Sequence, residues 1–439
     1  MIHEIMKCVM SMRKHAHVSR VPPLDSLHSP AWLGRCPMKF LRRMFAASDR
    51  STFVDLFTAA LRQSQPQTKL DYKDEEFAVT TATGRINLSN FYAEYCLLPW
   101  HKRKAYIQRT VGIFASVRDE LPEDFDEARR NLMPKIWMRS SFAHQALLCR
   151  IEGNTPPELE VTPLGEHLLT TIVYDLPESM QTIPPKQFET WDVSSYAAWE
   201  IAIENLSERT RAMAKIGDHL VSAVSGDNYD ANRLFLVDRL RELGMTGHLI
   251  AMVPNRDTLY ITTLDDSLGL KMMAELSDKS LQQEPRPMSP FPLQYVDDEW
   301  VDWHPPVNHV LYPRFQEMRA RYLQGEYAEQ KALLDKLQET GEYVGQFVAT
   351  YSVLQKKDTE EILSYAVWGD GVDTLLPETD RVVLIRNPER PEGFVHWSTV
   401  REVMGREMVE VPDLYPKRYR VRKFPTAEQL SEMEPSESP

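Results

Sequence analysis

Apolar residues recur with a helical period in the first regularly patterned stretch of the chain. Phe53, Phe57 and Leu61 are spaced four residues apart, and Leu56 and Ala60 lie on the same side of a helix. An apolar stripe of this kind is the face that a helix packs against a core. The pattern therefore predicts that the folded chain begins with a core helix.

Farther along the chain, the pattern changes to alternating positions and short apolar runs. Residues 168–174 and 249–253 are rich in apolar and β-branched side chains, and the second run is predicted to be a central strand. Residues 193–210 and 230–243 have helical spacing, and Gly244 is placed to end the second helix. Together they predict an α+β fold in which a mixed or antiparallel sheet packs against helices.

A proline-rich segment, 282–292, separates this domain from the rest, because its four prolines exclude a helix and a central strand. The charged stretch 314–340 is predicted to be a connector helix or the lead helix of a second unit, and strand-like runs at 362–368 and 381–386 follow it. We therefore expect a smaller β-rich second domain.

The predicted segments are a disordered basic leader at 1–50, an α+β domain at 51–300, a linker and charged helix at 301–341, a small β-rich α+β domain at 342–425 and a disordered acidic tail at 426–439. Met38 is an alternative start of translation.

The charge of the chain disfavours two classes of partner. The net charge is −13, and residues 1–50 hold nine basic and three acidic residues, so the remainder carries about −19. Such a surface repels phosphate backbones and anionic lipid. We therefore expect that nucleic acid is an unlikely partner and that the protein does not bind a membrane. No apolar run approaches the roughly 20 residues of a membrane span, and the predicted location is the cytoplasm.

Four segments resemble one protein family. The run SGDNYDANR at 225–233 and the run IAMVPNRDTL at 250–259 are similar to the "DGYDASR" and "VAVPxxDxL" segments of the YtpQ-like family of uncharacterised bacterial proteins. Upstream, MPKIWMRSSF at 133–142 resembles the family's "PVIRxxSF" segment, and Tyr174-Asp175 resembles its "YALD".

The resemblance covers about residues 51–300 and implies a bacterial, intracellular α+β domain with no assigned activity, cofactor or catalytic residue. The chain departs from the family pattern in two ways. Asn255-Arg256 precedes Asp257, and a long additional segment follows residue 310.

The same region carries the strongest group of polar residues. The candidate ligand-binding residues are Asp227, Asn228, Tyr229, Asp230, Arg233, Asn255, Arg256 and Asp257. If the predicted helix start and strand end meet at one sheet edge, Arg233 and Arg256 would hold a carboxylate or phosphate there. The simpler interpretation, which we prefer from the sequence alone, is that these residues cap a helix and form a turn.

A second basic segment, residues 415–424, alternates cationic and aromatic side chains. On a strand, Arg418, Arg420 and Arg422 would share one face. This arrangement is typical of an edge strand that is protected by charge. Stacking on nucleic-acid bases and contact with an acidic protein are the alternatives.

No sequence motif predicts a reaction. The chain contains no GxSxG, HExxH, GxGxxG or phosphate-loop motif, and its four cysteines form no CxxC pair. We therefore predict no catalytic residue, no metal site and no cofactor. The favoured function is a non-catalytic binding or adaptor protein, with a protein partner at the C-terminal β-rich domain. The alternative is an enzyme that acts on a small anionic substrate, bearing phosphate or carboxylate, at the 227–257 sheet edge.

Overall fold

The computed structural model describes residues 18–20, 38–67, 69–75, 77–81, 84–115, 121–176, 179–356, 361–387 and 392–436, with the backbone alone at 18–20 and 38–49. Helices alternate with antiparallel and mixed sheets, which confirms the predicted α+β class. Within the described ranges, no helix combines the length and the apolar composition that a membrane crossing requires.

The N-terminal part has its own core. Its elements are α1 (Met38–Ser64), β2 (Asp71–Lys73), β3 (Ala78–Thr81), β4 (Gly84–Asn87), α2 (Ser89–Leu97) and α3 (Trp100–Ala115). The strand β1 (Val18–Arg20) comes before them in the chain and pairs with residues 354–356 of the C-terminal part. Phe53, Phe57 and Leu61 of α1 are fully buried, as the apolar period predicts. The rest of this core comes from the three-stranded sheet β2–β3–β4 and from α2 and α3.

The predicted boundary of a disordered leader at residue 50 is wrong. The helix α1 already begins at Met38, and the segment before Arg50 is rich in residues with good helix propensity. The strand β1 also lies inside the predicted leader. The remainder of 1–37 lies outside the described residues.

The central part contains the site region. Its elements are α4 (Phe125–Ala128), β5 (Leu132–Met138), α5 (Arg139–Ile151), β6 (Thr162–Leu164), β7 (Leu168–Asp175), β8 (Met180–Thr182), α6 (Pro185–Thr190), α7 (Ser195–Arg209), β9 (Met213–Ile216), β10 (Leu220–Ala223), α8 (Val237–Glu242), β11 (Leu249–Asn255), β12 (Thr258–Thr263), α9 (Ser267–Gln283), β13 (Leu293–Val296) and β14 (Glu299–Asp302). The larger sheet is antiparallel, in the order β14–β13–β11–β12–β10–β9. Every residue of β11 is buried between β12 and β13, as predicted for a central strand. In the smaller sheet, β7 pairs with β5 on one side and with β6 and β8 on the other.

The predicted continuous helix at 230–243 is wrong. The chain forms a 3-10 helix at Ala231–Phe235, and Leu236 then leaves helical geometry (φ −88, ψ 57) before α8 begins. Within the 3-10 helix, the side-chain oxygen of Asn232 accepts the backbone N–H of Ile136 at 2.7 Å and so protects the free edge of β5. Gly244 follows α8 with φ +83, in agreement with its predicted role as a helix terminator.

The C-terminal part begins with a long helix. Its elements are α10 (Tyr312–Glu339), β15 (Phe347–Val348), β16 (Ser352–Lys356), β17 (Ile362–Gly369), β18 (Thr374–Pro377), β19 (Arg381–Ile385), β20 (Gly393–His396), α11 (Trp397–Met404), β21 (Val409–Glu410), β22 (Arg418–Val421) and α12 (Ala427–Met433). The helix α10 packs against both the central sheet and the C-terminal part. Phe315 and Met318 pack into the core beneath the central sheet, and Leu334 and Leu337 pack against Leu375 of β18.

Two predictions about the end of the chain are wrong. The strand β22 is not an edge strand, because it lies between β18 and β21, and Arg418 is fully buried there. The tail after residue 425 is not disordered, because α12 buries Leu430 and Met433 in the C-terminal core. The signal for α12 is its capping box, in which the Thr426 side chain accepts the backbone N–H of Gln429 and the Gln429 side chain accepts that of Thr426.

Candidate functional site

The loop 225–230 is closed by its own carboxylates. The Asp230 carboxylate accepts the backbone N–H groups of Ser225 and Gly226 at 2.9 and 2.8 Å, and Asp227 accepts that of Tyr229 at 3.1 Å. Asn228 adopts the left-handed conformation with φ +67, which asparagine tolerates better than most residues. The carboxylates of Asp227 and Asp230 therefore hold this loop through local hydrogen bonds. Asp230 closes the loop and does not cap a helix.

Arg233 is the internal anchor of this loop. Its guanidinium donates to Asp227 at 2.7 and 2.9 Å, to Asp230 at 2.9 Å and to the Thr210 hydroxyl at 3.0 Å, and the side chain is 0% exposed. Burial alone would raise the pKa of Asp227, but the hydrogen bonds and charge of Arg233 lower it below its ordinary value. Arg233 is buried behind the loop, so of the two arginines that the sequence suggests for an anion, Arg256 is the one that is partly exposed.

Arg256 joins the two candidate segments. Its Nη2 donates to the Asn228 side-chain oxygen at 2.8 Å and to Asp257 at 3.1 Å, and its Nε also donates to Asp257 at 3.2 Å. Asn255 holds the turn by accepting the Asp257 N–H at 2.9 Å and by donating to the carbonyl of Pro285. The predicted meeting of 227–230 with 255–257 at one sheet edge is thus present in the fold.

A cleft of about 920 Å³ opens beside this junction. Five of the eight candidate residues line the cleft: Asp227, Asn228, Tyr229, Arg256 and Asp257. The other three, Asp230, Arg233 and Asn255, are buried and hold the loop and the turn in place. The opposite wall comes from α2 and α3 of the N-terminal part. The cleft therefore lies between two cores of the molecule, a common location for ligand sites.

Lys135 is the functional candidate that the sequence reasoning missed. It lies on β5, is only 1% exposed, and its Nζ donates to the main-chain carbonyl of Asn228 at 2.8 Å. The Nζ also lies 5.1 Å from the centre of the Tyr229 ring. Burial, followed by the positive charge of Arg256, lowers the pKa of Lys135 from the ordinary 10.5 to about 7. The available signal is a lysine directly before the apolar run Ile136-Trp137-Met138.

Arg286 and Glu94 connect the two walls of the cleft. They form an ion pair, and the Arg286 N–H donates to the Asn90 side chain at 3.3 Å. Tyr106 of α3 donates to Glu94 at 2.7 Å. Burial and the Glu94 hydrogen bond raise the pKa of Tyr106, which keeps this hydroxyl protonated.

Tyr229 and Asp175 form another part of the lining. The Tyr229 hydroxyl donates to Asp175 at 2.7 Å, and Asp175 is also paired with Arg209 at 2.5 Å. Burial and the hydrogen bond to Asp175 raise the pKa of Tyr229. This side of the cleft therefore presents a neutral phenol and an ion pair.

The cationic side chains of the cleft differ in whether a carboxylate forms an ion pair with them. Arg256 and Arg286 each contact a carboxylate, on Asp257 and Glu94 respectively. Among the residues that the structure describes, no carboxylate forms an ion pair with Lys135. The charges of Arg256 and Arg286 disfavour the protonated amine, whereas those of Asp257 and Asp227 favour it, so the main electrostatic feature is the burial of an amine that forms no ion pair.

Comparison with curated proteins finds relatives over about a third of the chain. A UPF0354 protein of Listeria welshimeri is 28% identical over 148 residues, which is 30% of this chain and 56% of the relative. UPF0354 proteins of Listeria innocua and Listeria monocytogenes are each 26% identical over 144 residues, or 31% of this chain and 54% of each relative. The chain thus spans about half the length of the curated relatives it matches.

No family model and no solved structure matches the chain. The relatives carry the name UPF0354, so the YtpQ-like assignment stays a prediction. The comparisons establish that this chain is similar to uncharacterised bacterial proteins.

Proposed function

We propose that this protein is a non-catalytic binding protein that takes a small molecule bearing a carboxylate or phosphate into the cleft between Lys135 and Arg256. The observation that carries the proposal is the buried Lys135 amine, which lines the cleft with one main-chain carbonyl as its hydrogen-bond partner. A bound anion would supply the missing counter-charge.

Arg256 supports the proposal independently. All of its side-chain hydrogen bonds to described residues use Nε and Nη2, which leaves Nη1 for a ligand. Because Asn228 and Asp257 hold the guanidinium plane, binding would require little further ordering of this side chain. A fixed guanidinium is suited to hold a carboxylate or phosphate oxygen.

The resemblance to the YtpQ-like family supports a bacterial, cytoplasmic setting, which is part of this proposal. The partner-binding role of the C-terminal domain stays a prediction. Its basic strand gives that role no support, because Arg418 is buried and Arg420 is paired with Asp373.

Thermal-shift and calorimetric titrations with inorganic phosphate, malonate and pyruvate test the proposal. We expect at least one of these anions to raise the melting temperature of the intact protein. Arg256→Ala should weaken its binding by about ten-fold or more, as expected for a lost charged hydrogen bond. The control is Arg406→Ala, at an exposed arginine outside the cleft. Absence of binding by all three anions, or equal affinity of wild type and Arg256→Ala, would refute the proposal.

A further inference from the structure

Lys135 has an amine that is held in a fixed position beside a cleft, as a reactive lysine requires. It lies on β5, where seven consecutive pairs with β7 hold the backbone. Its side chain lines the cleft, and its Nζ is fixed by the Asn228 carbonyl and the Tyr229 ring. The position of the nitrogen is therefore set by a strand and a closed loop, which gives a more precise site than a mobile surface lysine.

We propose that Lys135 acts as a nucleophile toward a carbonyl carbon, and that the ligand of the cleft is an anion with an adjacent aldehyde or ketone, such as a 2-oxo acid. This inference rests on the proposed anion site and names the chemical class of its ligand. It goes beyond simple ion pairing because it assigns a covalent, reversible bond to the amine.

The surroundings favour the unprotonated amine. No described carboxylate pairs with Lys135 to hold its proton, and Arg256 and Arg286 add positive charge to the same cleft. Burial and the charge of Arg256 lower the pKa of Lys135 to about 7 against the opposing charges of Asp257 and Asp227, so the uncharged amine is populated near neutral pH. Desolvation next to cationic groups is one way in which proteins activate a lysine.

The step balances without another reactant. The lone pair of Nζ attacks the carbonyl carbon, the carbon–oxygen π pair moves to oxygen, and one proton passes from nitrogen to that oxygen to give a carbinolamine. The carbon–oxygen bond then breaks, the second Nζ proton leaves with the hydroxyl group as water, and an imine remains. Addition of water reverses the sequence and releases the ligand. In this arrangement, the free Nη1 of Arg256 would hold the carboxylate beside the carbonyl.

Reductive trapping tests the inference. The full chain is incubated at pH 7 with pyruvate or glyoxylate and sodium cyanoborohydride, and the modified lysines are located by peptide mass spectrometry. We expect the adduct to form on Lys135 at least ten-fold faster than on Lys271, an exposed lysine of α9. Lys135→Arg keeps a positive charge and should lose this adduct, while the labelling of Lys271 stays unchanged. Propanal, which has no carboxylate, should lose the preference for Lys135.

Malonate binding, measured in parallel by calorimetry, separates the two claims, because malonate is an anion without an aldehyde or ketone. If malonate binds and Lys135 is labelled no faster than Lys271, the inference is overturned while the anion site stands. If malonate does not bind and Lys135 is not labelled, both claims fail. Fast labelling of Lys135 that survives Arg256→Ala contradicts the assigned role of the guanidinium and leaves the nucleophile in place.

Discussion

The Nζ of Lys135 donates a hydrogen bond to the main-chain carbonyl of Asn228 over 2.8 Å, and the Asn228 side chain accepts one from Arg256 over the same distance. One residue of the loop therefore holds both cations of the proposed site. A neutral carbonyl satisfies one N–H of the amine and does not neutralise a positive charge. This relationship leads to the first prediction.

The stability gained by Lys135→Met should depend on pH. The folded-state pKa of Lys135, about 7, lies below the ordinary 10.5, so the unfolded chain binds more protons between these values. The penalty of burying this lysine is complete below about pH 7 and is relieved as the pH rises toward 10. The advantage of the methionine variant in unfolding free energy should shrink by up to about 1.4 kcal/mol per pH unit in this window.

Urea unfolding of both proteins at pH 6 to 10 measures this difference, and other groups cancel in the comparison. A difference between the two proteins that does not change with pH would mean that Lys135 keeps an ordinary pKa in the fold.

Arg233→Met should destabilise the protein strongly. The change leaves the Asp230 carboxylate, which is almost fully buried, without its cation, and removal of one member of such a pair costs about 3–5 kcal/mol. Arg241→Met, at an exposed position of α8, is the matched control and should stay within about 0.5 kcal/mol of wild type. Chemical denaturation checks both values, and a loss below 1 kcal/mol for Arg233→Met would disprove its role as the loop anchor.

Two arginines of β22 should differ in their effect on stability. Arg418 donates to Gln330 at 2.6 Å and to the carbonyls of Ala349 and Leu375 at 2.8 and 3.0 Å, and Arg418→Met removes all three of these buried hydrogen bonds. We expect a loss of about 3 kcal/mol. Arg420→Met breaks a partly exposed pair and should cost about 0–1 kcal/mol. Equal losses in thermal or chemical unfolding would contradict the burial of Arg418.

Leu430→Ala should destabilise the C-terminal core by about 2–5 kcal/mol, because it removes buried methyl groups of α12. Glu432→Ala, at an exposed position of the same helix, should have little effect. Chemical denaturation of the two variants measures the difference. If the two variants had similar stability, the packing of α12 would be contradicted and the predicted disordered tail at 426–439 would be supported.

The sequence predicts the parts of the fold that follow from periodicity. The core helix through Phe57 and the central strand β11 have regular apolar patterns, and both are confirmed. The sequence also allows residues 227–230 and 255–257 to share a sheet edge, because each follows a strand, and the structure joins them through Asn228 and Arg256. These features can be predicted from residues that are close together in the sequence, without knowing which distant elements pack together.

Burial of charge could not be read from the sequence. Arg233, Arg418 and Lys135 look like ordinary surface residues in a linear pattern, and their partners lie on other elements. Asn232 likewise lies within a predicted helix, and its side chain satisfies a strand edge far away in the chain. These residues owe their environment to tertiary contacts, which override local propensity.

Proton uptake during anion binding tests the central claim most directly. Malonate is titrated into the wild type and into Lys135→Met at pH 8, in two buffers of different ionisation enthalpy. Because a bound anion favours the charged amine, the account predicts that the wild type takes up a fraction of one proton per malonate, that its affinity falls as the pH rises above about 7, and that both effects vanish in Lys135→Met. Malonate binding with no proton uptake, or with the same uptake in Lys135→Met, would contradict the account.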